Sequence, residues 1–285
     1  MKKIKVIGLV VLIIVLIAVI GVLLVNAIRS ISYNKEAKNP IVTFNIEGYG
    51  EVQLELYPDY APNTVSTIVK LVQNKYYDGK VFYGTDGTDV YAGMIKNETS
   101  TEESETIEEV DTATEESVIE DAITVSDLDM SVATGSDADY SISIPGEFVA
   151  NGYEKNTLRF EKGTVGLDRK AYSPISISSE TLDLTPQSYN SGTSLFFICM
   201  EEDSSRNGLY TLFGKIVKGL EIVEEISNLK TVENEEEQLK YFESLPIITS
   251  ASVETFGVDY GVPEYLEAFD YSSYLSDYLL QYYSY

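Results

Sequence analysis

Residues 78–94, DGKVFYGTDGTDVYAGM, have the outline of an active-site segment: an apolar pair, a Gly- and Asp-rich turn, then a second short strand. The turn itself, GTDGTD at 84–89, holds no Arg, Lys, His, Cys or Ser, the types that usually do chemistry from such a place. The whole chain contains no His. That excludes Ser-His-Asp and Cys-His nucleophilic schemes, His-based acid–base catalysis and the commoner zinc sites. The single cysteine, Cys199, lies in the apolar run LFFICM and reads as a buried structural thiol, so disulfides and thiolate clusters are excluded too. Neither a metal nor a cofactor is expected.

The rest of the chain must explain what such a segment is for. Its 285 residues suit one domain with additions, and 22 Tyr with 10 Phe supply bulky core material. A net charge of −26 argues against nucleic acid, because phosphate binding needs clustered Lys and Arg. At the amino terminus three Lys precede an uncharged run from Val6 to Ile28, long enough to span a bilayer as a helix. Residues 1–29 are therefore read as an uncleaved signal anchor and 30–40 as a polar stalk. The acidic, His-free body places the expected location at the cell membrane, single-pass, with the globular domain extracytoplasmic.

From Ile41 the pattern is that of a folded domain. Val42, Phe44 and Ile46 alternate with polar residues, and Val52, Leu54 and Leu56 mirror them across a Gly-containing turn, which predicts a hairpin with one buried face. APNTVSTIVKLVQNKYY follows, with Pro62 in a first helical turn and Val65, Ile68, Val69 and Val72 at helical spacing. Residues 41–97 form a first part of the domain. Residues 98–140 hold 15 acids and no Lys or Arg, a composition that cannot bury enough apolar surface to order itself, and predict a disordered insertion. Folded character resumes over 141–258, with strand-like runs at GTVGLDRK, SLFFICM and LYTLFGKI, a loop at 171–190, a second helix at 219–229 and a closing strand in LPIITSASVETFGV. The tail, 259–285, spaces Tyr271, Tyr274, Tyr278, Tyr282 and Tyr285 as a helical stripe. Such a stripe either docks on the domain or recognises a protein partner.

The order of these pieces resembles the cyclophilin-type peptidyl-prolyl cis-trans isomerases. The resemblance rests on VTFNIEGYGEVQLELYPDYAPNTVSTIVKLVQNKYYDGKVFY, then IPGEF, NTLRFEKGTVGL, SGTSLFFI and LYTLFGKIVKGLEIVEEI. It implies a mostly β fold, an eight-stranded antiparallel β-barrel capped by two α-helices, with the N-terminal transmembrane helix added. It also implies a groove that seats proline in an apolar pocket and presents an Arg guanidinium to the X–Pro amide. Rotation about that bond has a barrier of roughly 18–20 kcal/mol, lowered by preorganised electrostatics without covalent chemistry.

Aligned without gaps, the family's catalytic strand puts Gly84 at the Arg position, so no catalytic residue is retained. The same alignment makes Val90, Ala92, Phe197 and Tyr210 groove positions. It marks Asp89, Asp168, Leu195 and Arg206 as substitutions, with Phe82 and Phe213 in the core. Arg206 or Arg169 could reach the groove and compensate. Two functional expectations result. One is an isomerase domain at the outer membrane face, related to foldases of exported proteins and of weak or lost activity, acting on proline-containing polypeptide segments. The other is a non-catalytic, membrane-tethered binding module using the groove, the acidic insertion or the tail. Closure of the groove by Asp89–Arg206 pairing would favour the second.

Overall fold

The computed structural model describes residues 38–96, 128–129, 142–172, 174–177, 180–232 and 238–283. The expected anchor, most of the stalk and nearly all of the acidic insertion lie outside them. Among the described residues no helix is long and apolar enough to cross a membrane. The described residues within 39–255 and 259–283 form one compact unit, and Lys38 with residues 256–258 belongs to another.

The alternation read at the start becomes β1 (Ile41–Ile46) and β2 (Gly50–Leu56), paired with Val42 opposite Leu54 and Phe44 opposite Val52. Val42, Phe44, Ile46, Val52, Leu54 and Leu56 all point inward. Pro62 begins α1 (Pro62–Gln73), which buries Val65, Ile68, Val69, Leu71 and Val72 on one face. β3 (Lys80–Thr85) and β4 (Asp89–Lys96) flank the Gly/Asp turn. Leu128–Asp129, inside the acidic segment, forms β5 against β4, and β6 is Ile142–Ser143.

β7 (Thr164–Arg169) leads into a hairpin of β8 (Ile175–Ile177) and β9 (Glu180–Leu182) and then α2 (Thr185–Tyr189). Residues 171–190, expected as a loop, thus hold short elements of their own. β10 (Gly192–Cys199) is buried along its whole length, and β11 (Leu212–Lys218) precedes α3 (Leu220–Ser227). β12 (Lys240–Tyr241), β13 (Ile248–Glu254) and β14 (Leu266–Glu267) lead to α4 (Tyr271–Tyr283).

One antiparallel sheet runs in the order β12-β3-β4-β10-β7-β11-β2-β1-β13, with β5 on β4. It curls until Val81 and Ile247 form a bridge between its two ends, and Gly79 and Phe82 donate to the carbonyls of Ile248 and Pro246. The eight long strands of the expected barrel are therefore joined at the seam by a few bonds, not by a continuous ladder. Inside the curl, Phe44 stacks on Phe196 at 5.7 Å, and Val223 and Ile226 of α3 join the same core as α1. The opposite face of β10 carries the candidate site.

Candidate functional site

Side chains alternate along β10, so Phe196 and Ile198 enter the core while Phe197 and Cys199 face the other way. Phe197 stacks on Phe160 with centroids 5.8 Å apart and planes 12° from parallel, and Tyr210 stands edge-on to Phe197 at 5.6 Å and to Phe160 at 5.7 Å. Tyr91 closes another side, 6.1 Å from Phe197. Gly166 on β7 makes room, because a Cβ there would collide with the Phe197 ring. The result is an aromatic box.

The box is occupied by Arg206. This residue ends a 3-10 turn, Ser204–Arg206, which Asp203 caps by accepting from the Ser205 N–H at 2.9 Å. The Arg206 guanidinium carbon lies 4.2 Å over Phe160, 5.2 Å from Tyr210 and 5.3 Å from Phe197. Its Nη2 donates to Asp89 Oδ2 at 2.5 Å. Asp89 is fully buried, and its second oxygen, Oδ1, has no hydrogen-bond partner. Burial pushes the Asp89 carboxyl up to about 6 against the opposing pull of Arg206.

The Gly/Asp turn owes its shape to Asp86. One carboxylate oxygen accepts from the Thr88 N–H at 2.8 Å, the Thr88 hydroxyl at 2.9 Å and the Asp89 N–H at 2.7 Å, and the other accepts from the Tyr91 hydroxyl at 2.9 Å. The Thr85 hydroxyl adds a bond to the Asp89 carbonyl at 2.6 Å. The acids of this segment therefore build the turn and seat Tyr91 and Asp89 in the box. Both oxygens of Asp86 are taken up by these bonds. Cys199 is inert, its thiol pushed up by burial.

Arg169 is committed elsewhere. Its Nη1 donates to Ser188 Oγ at 2.5 Å, and its guanidinium lies 4.4 Å from the Tyr210 ring and 5.2 Å from Tyr189. Tyr210 thus contacts two guanidinium groups. Asp168 Oδ1 accepts from the Arg169 N–H at 2.8 Å, and burial pushes that carboxyl up to about 6, opposed by the same bond and by the Arg169 charge and reinforced by Asp89. Among the described residues no group of His, Cys, Asp or Glu is placed to hold a metal ion.

Three expected groove positions lie elsewhere. Val90 and Ala92 pair with Ile198 and Phe196 and enter the main core, so the groove face of β4 is formed by Asp89 and Tyr91. β3 and β4 shift register between Phe82 and Gly84, an irregularity that a gapless reading of the sequence does not register. Leu195 belongs to a third cluster with Val81, Tyr83, Met94 and Tyr241, beneath β12.

That strand covers Gly84. Tyr241 pairs with Gly84 and Lys240 with Thr85, and the Phe242 N–H donates to the Tyr83 carbonyl at 3.0 Å. A Cβ built on Gly84 would lie 2.5 Å from the Lys240 carbonyl oxygen and 3.3 Å from Leu239 Cδ1. Backbone fills the direction in which a side chain at 84 would leave the strand.

Sequence reasoning also missed Phe160 and Glu147. Phe160 could have been suspected from LRFEKG, where it precedes β7. Glu147 lies 84 positions from the helix it serves: its carboxylate accepts from the Asn63 N–H at 2.9 Å, the Thr64 N–H at 2.8 Å and the Thr64 hydroxyl at 2.7 Å. It caps α1, and only tertiary folding brings the two together.

A probable peptidyl-prolyl cis-trans isomerase of Brucella suis is 29% identical over 185 residues, 65% of this chain and 70% of the relative. Peptidyl-prolyl cis-trans isomerase B of Bacillus subtilis is 24% identical over 65% of this chain and 89% of its own length. A crystal structure of a Cryptosporidium parvum cyclophilin-type isomerase superposes with a TM-score of 0.46 at 16% identity, covering 76% of this chain and 98% of that one. The same protein solved in the presence of the dipeptide Ala-Pro gives a TM-score of 0.40 at 18% identity over 73% of this chain and 98% of that one. The family model described as cyclophilin type peptidyl-prolyl cis-trans isomerase/CLD matches residues 41–244, and with that match over most of its length the chain belongs to this family.

Proposed function

We propose that this chain is a cyclophilin-type domain that no longer isomerises proline and serves as a binding module tethered to the outer face of the membrane. The observation that carries this reading is the filled box. Arg206 occupies the space between Phe160, Phe197 and Tyr210 and is tied to a buried Asp89. A proline ring entering there would have to expel a guanidinium and leave a carboxylate buried without its cation, a change that costs about 3–5 kcal/mol. The gapless alignment puts Gly84 at the family's catalytic Arg position, and Lys240 lies over that position. Losing one preorganised donor typically costs about 10²–10³ in rate. Neither Arg206 nor Arg169, the two arginines expected to compensate, is available to replace it, since Arg206 is paired with Asp89 and Arg169 is bonded to Ser188.

Exchange of an Ala-Pro peptide between its cis and trans forms, followed by NMR, tests the loss of activity. The rate with the protein is expected to equal the rate without it. A Gly84→Arg variant is expected to gain nothing, because its Cβ would meet the Lys240 carbonyl. Acceleration by the unmodified chain would overturn the reading and make Arg206 and Arg169 the first residues to replace.

The membrane placement is supported by the uncharged run from Val6 to Ile28 behind three Lys. Cys199 is buried, so a cysteine introduced at exposed Ser276 is expected to react with an impermeant maleimide on intact cells. Labelling only after lysis would place the domain on the other side.

A further inference from the structure

We propose that the aromatic box is a receptor for a guanidinium group, carried by an arginine side chain of a partner polypeptide or by a small free compound, and that Arg206 is its resident occupant. The inference rests on the non-catalytic reading above and names the ligand of that same site. Its first support is the chemistry of the walls. Phe160, Phe197 and Tyr210 offer ring faces and edges, and the floor is the carboxylate of the fully buried Asp89. An apolar ligand would leave that charge unpaired, whereas a flat cation is stabilised by the rings and the carboxylate together.

A second support is an unmet bond. Arg206 reaches Asp89 through a single contact, Nη2 to Oδ2, and Oδ1 is buried without a partner. A guanidinium entering end-on presents two parallel N–H groups, the geometry that serves both oxygens of a carboxylate at once. The resident arginine therefore holds the site less completely than an incoming one can.

The third support is how little must move. Arg206 stands at the end of a three-residue 3-10 turn, and its side chain is 20% exposed while that of Asp89 is 1% exposed. Rotation of one side chain into solvent opens the box without breaking a strand pair. A chain of net charge −26 draws cationic segments toward it from solution.

The test uses the full chain carrying Arg206→Ala, titrated with agmatine and with the peptide acetyl-Ala-Arg-Ala-amide. The amide resonances of Asp89, Phe197 and Tyr210 are followed. Both probes are expected to shift them, with Kd at least tenfold below that of the unmodified chain, in which Arg206 competes. Adding Asp89→Asn is expected to weaken binding at least tenfold, and cadaverine is expected to bind less well than agmatine. Tighter binding of the peptide assigns a polypeptide partner, and equal affinity assigns a free guanidinium compound. No shift at those residues in a folded Arg206→Ala chain, or binding that survives Asp89→Asn, overturns the proposal. Should Arg206→Ala fail to fold, the same titration of the unmodified chain must displace the Arg206 side-chain resonance at excess peptide, and an unmoved resonance overturns it equally. Because isomerisation is read separately from Ala-Pro exchange, a failure here leaves the non-catalytic reading standing.

Discussion

Asp89 and Asp168 are carboxylates that folding has moved out of water, and both are pushed from an ordinary 3.8 up to about 6. The folded chain therefore keeps a proton on each at pH values where the unfolded chain has released it. Stability from this source is present at low pH and lost as pH rises through about 6. Asp168 gives the cleaner test, because an Asn there keeps the oxygen that accepts from the Arg169 N–H. Asp168→Asn is expected to raise stability at pH 7.5 by about 1–3 kcal/mol and to change it little at pH 4, where the carboxyl is protonated in the folded chain. Urea denaturation at the two pH values measures this, and a difference independent of pH would contradict it. The identity of these acids was legible in the sequence as departures from the family pattern. Their partners were not: Arg206 lies 117 positions from Asp89, and nothing local to either residue announces the pair.

At the scale of elements, two devices position the site. α1 begins at Pro62 with no side-chain cap of its own, and Glu147 supplies the anion that its first N–H groups lack. Glu147→Gln keeps the size and removes the charge, so the change is expected to cost about 1–3 kcal/mol and to speed amide exchange at Asn63 and Thr64 specifically. Unchanged protection at those two amides would show that the helix holds its own start. The second device is β12, whose two residues pair with β3 over Gly84 and pack Tyr241 against Tyr83 and Leu195. The hairpin of β1 and β2 and the body of α1 were legible, because strict alternation and helical spacing report a buried face directly. β12 was not. A two-residue strand has no period, and its existence depends on the edge of β3 being there to pair with.

For the whole molecule, the tail is a strap across the domain. Asn63 Nδ2 donates to the Glu264 carbonyl at 2.9 Å and Asn63 Oδ1 accepts from the Glu264 N–H at 2.6 Å. β14 then pairs with β6, and Tyr172 stacks on Tyr271 at 6.0 Å and meets Phe269 at 5.2 Å. Attachment is thus made ahead of α4 and in its first turn, while no residue of α4 is buried. Asn63→Ala retains the backbone bond to Glu147 and removes both bonds to the strap. It is expected to speed proteolysis within 259–283 about tenfold while moving the melting temperature little, since exposed, weakly held segments open without global unfolding. A large fall in melting temperature would instead make the tail part of the core.

The sequence by itself determined the family, the chain order of the main elements and, with no His and one Cys, that neither a His side chain nor an intrachain disulfide is present, because composition and periodicity are local properties that survive without coordinates. Only the tertiary structure decided that Val90 and Ala92 turn inward, that Lys240 covers Gly84 and that Arg206 fills the box over Asp89. Each of these depends on register and on contacts between distant segments. A one-residue shift in pairing sends a side chain to the other face of the sheet, and a single-chain pattern carries no record of that shift.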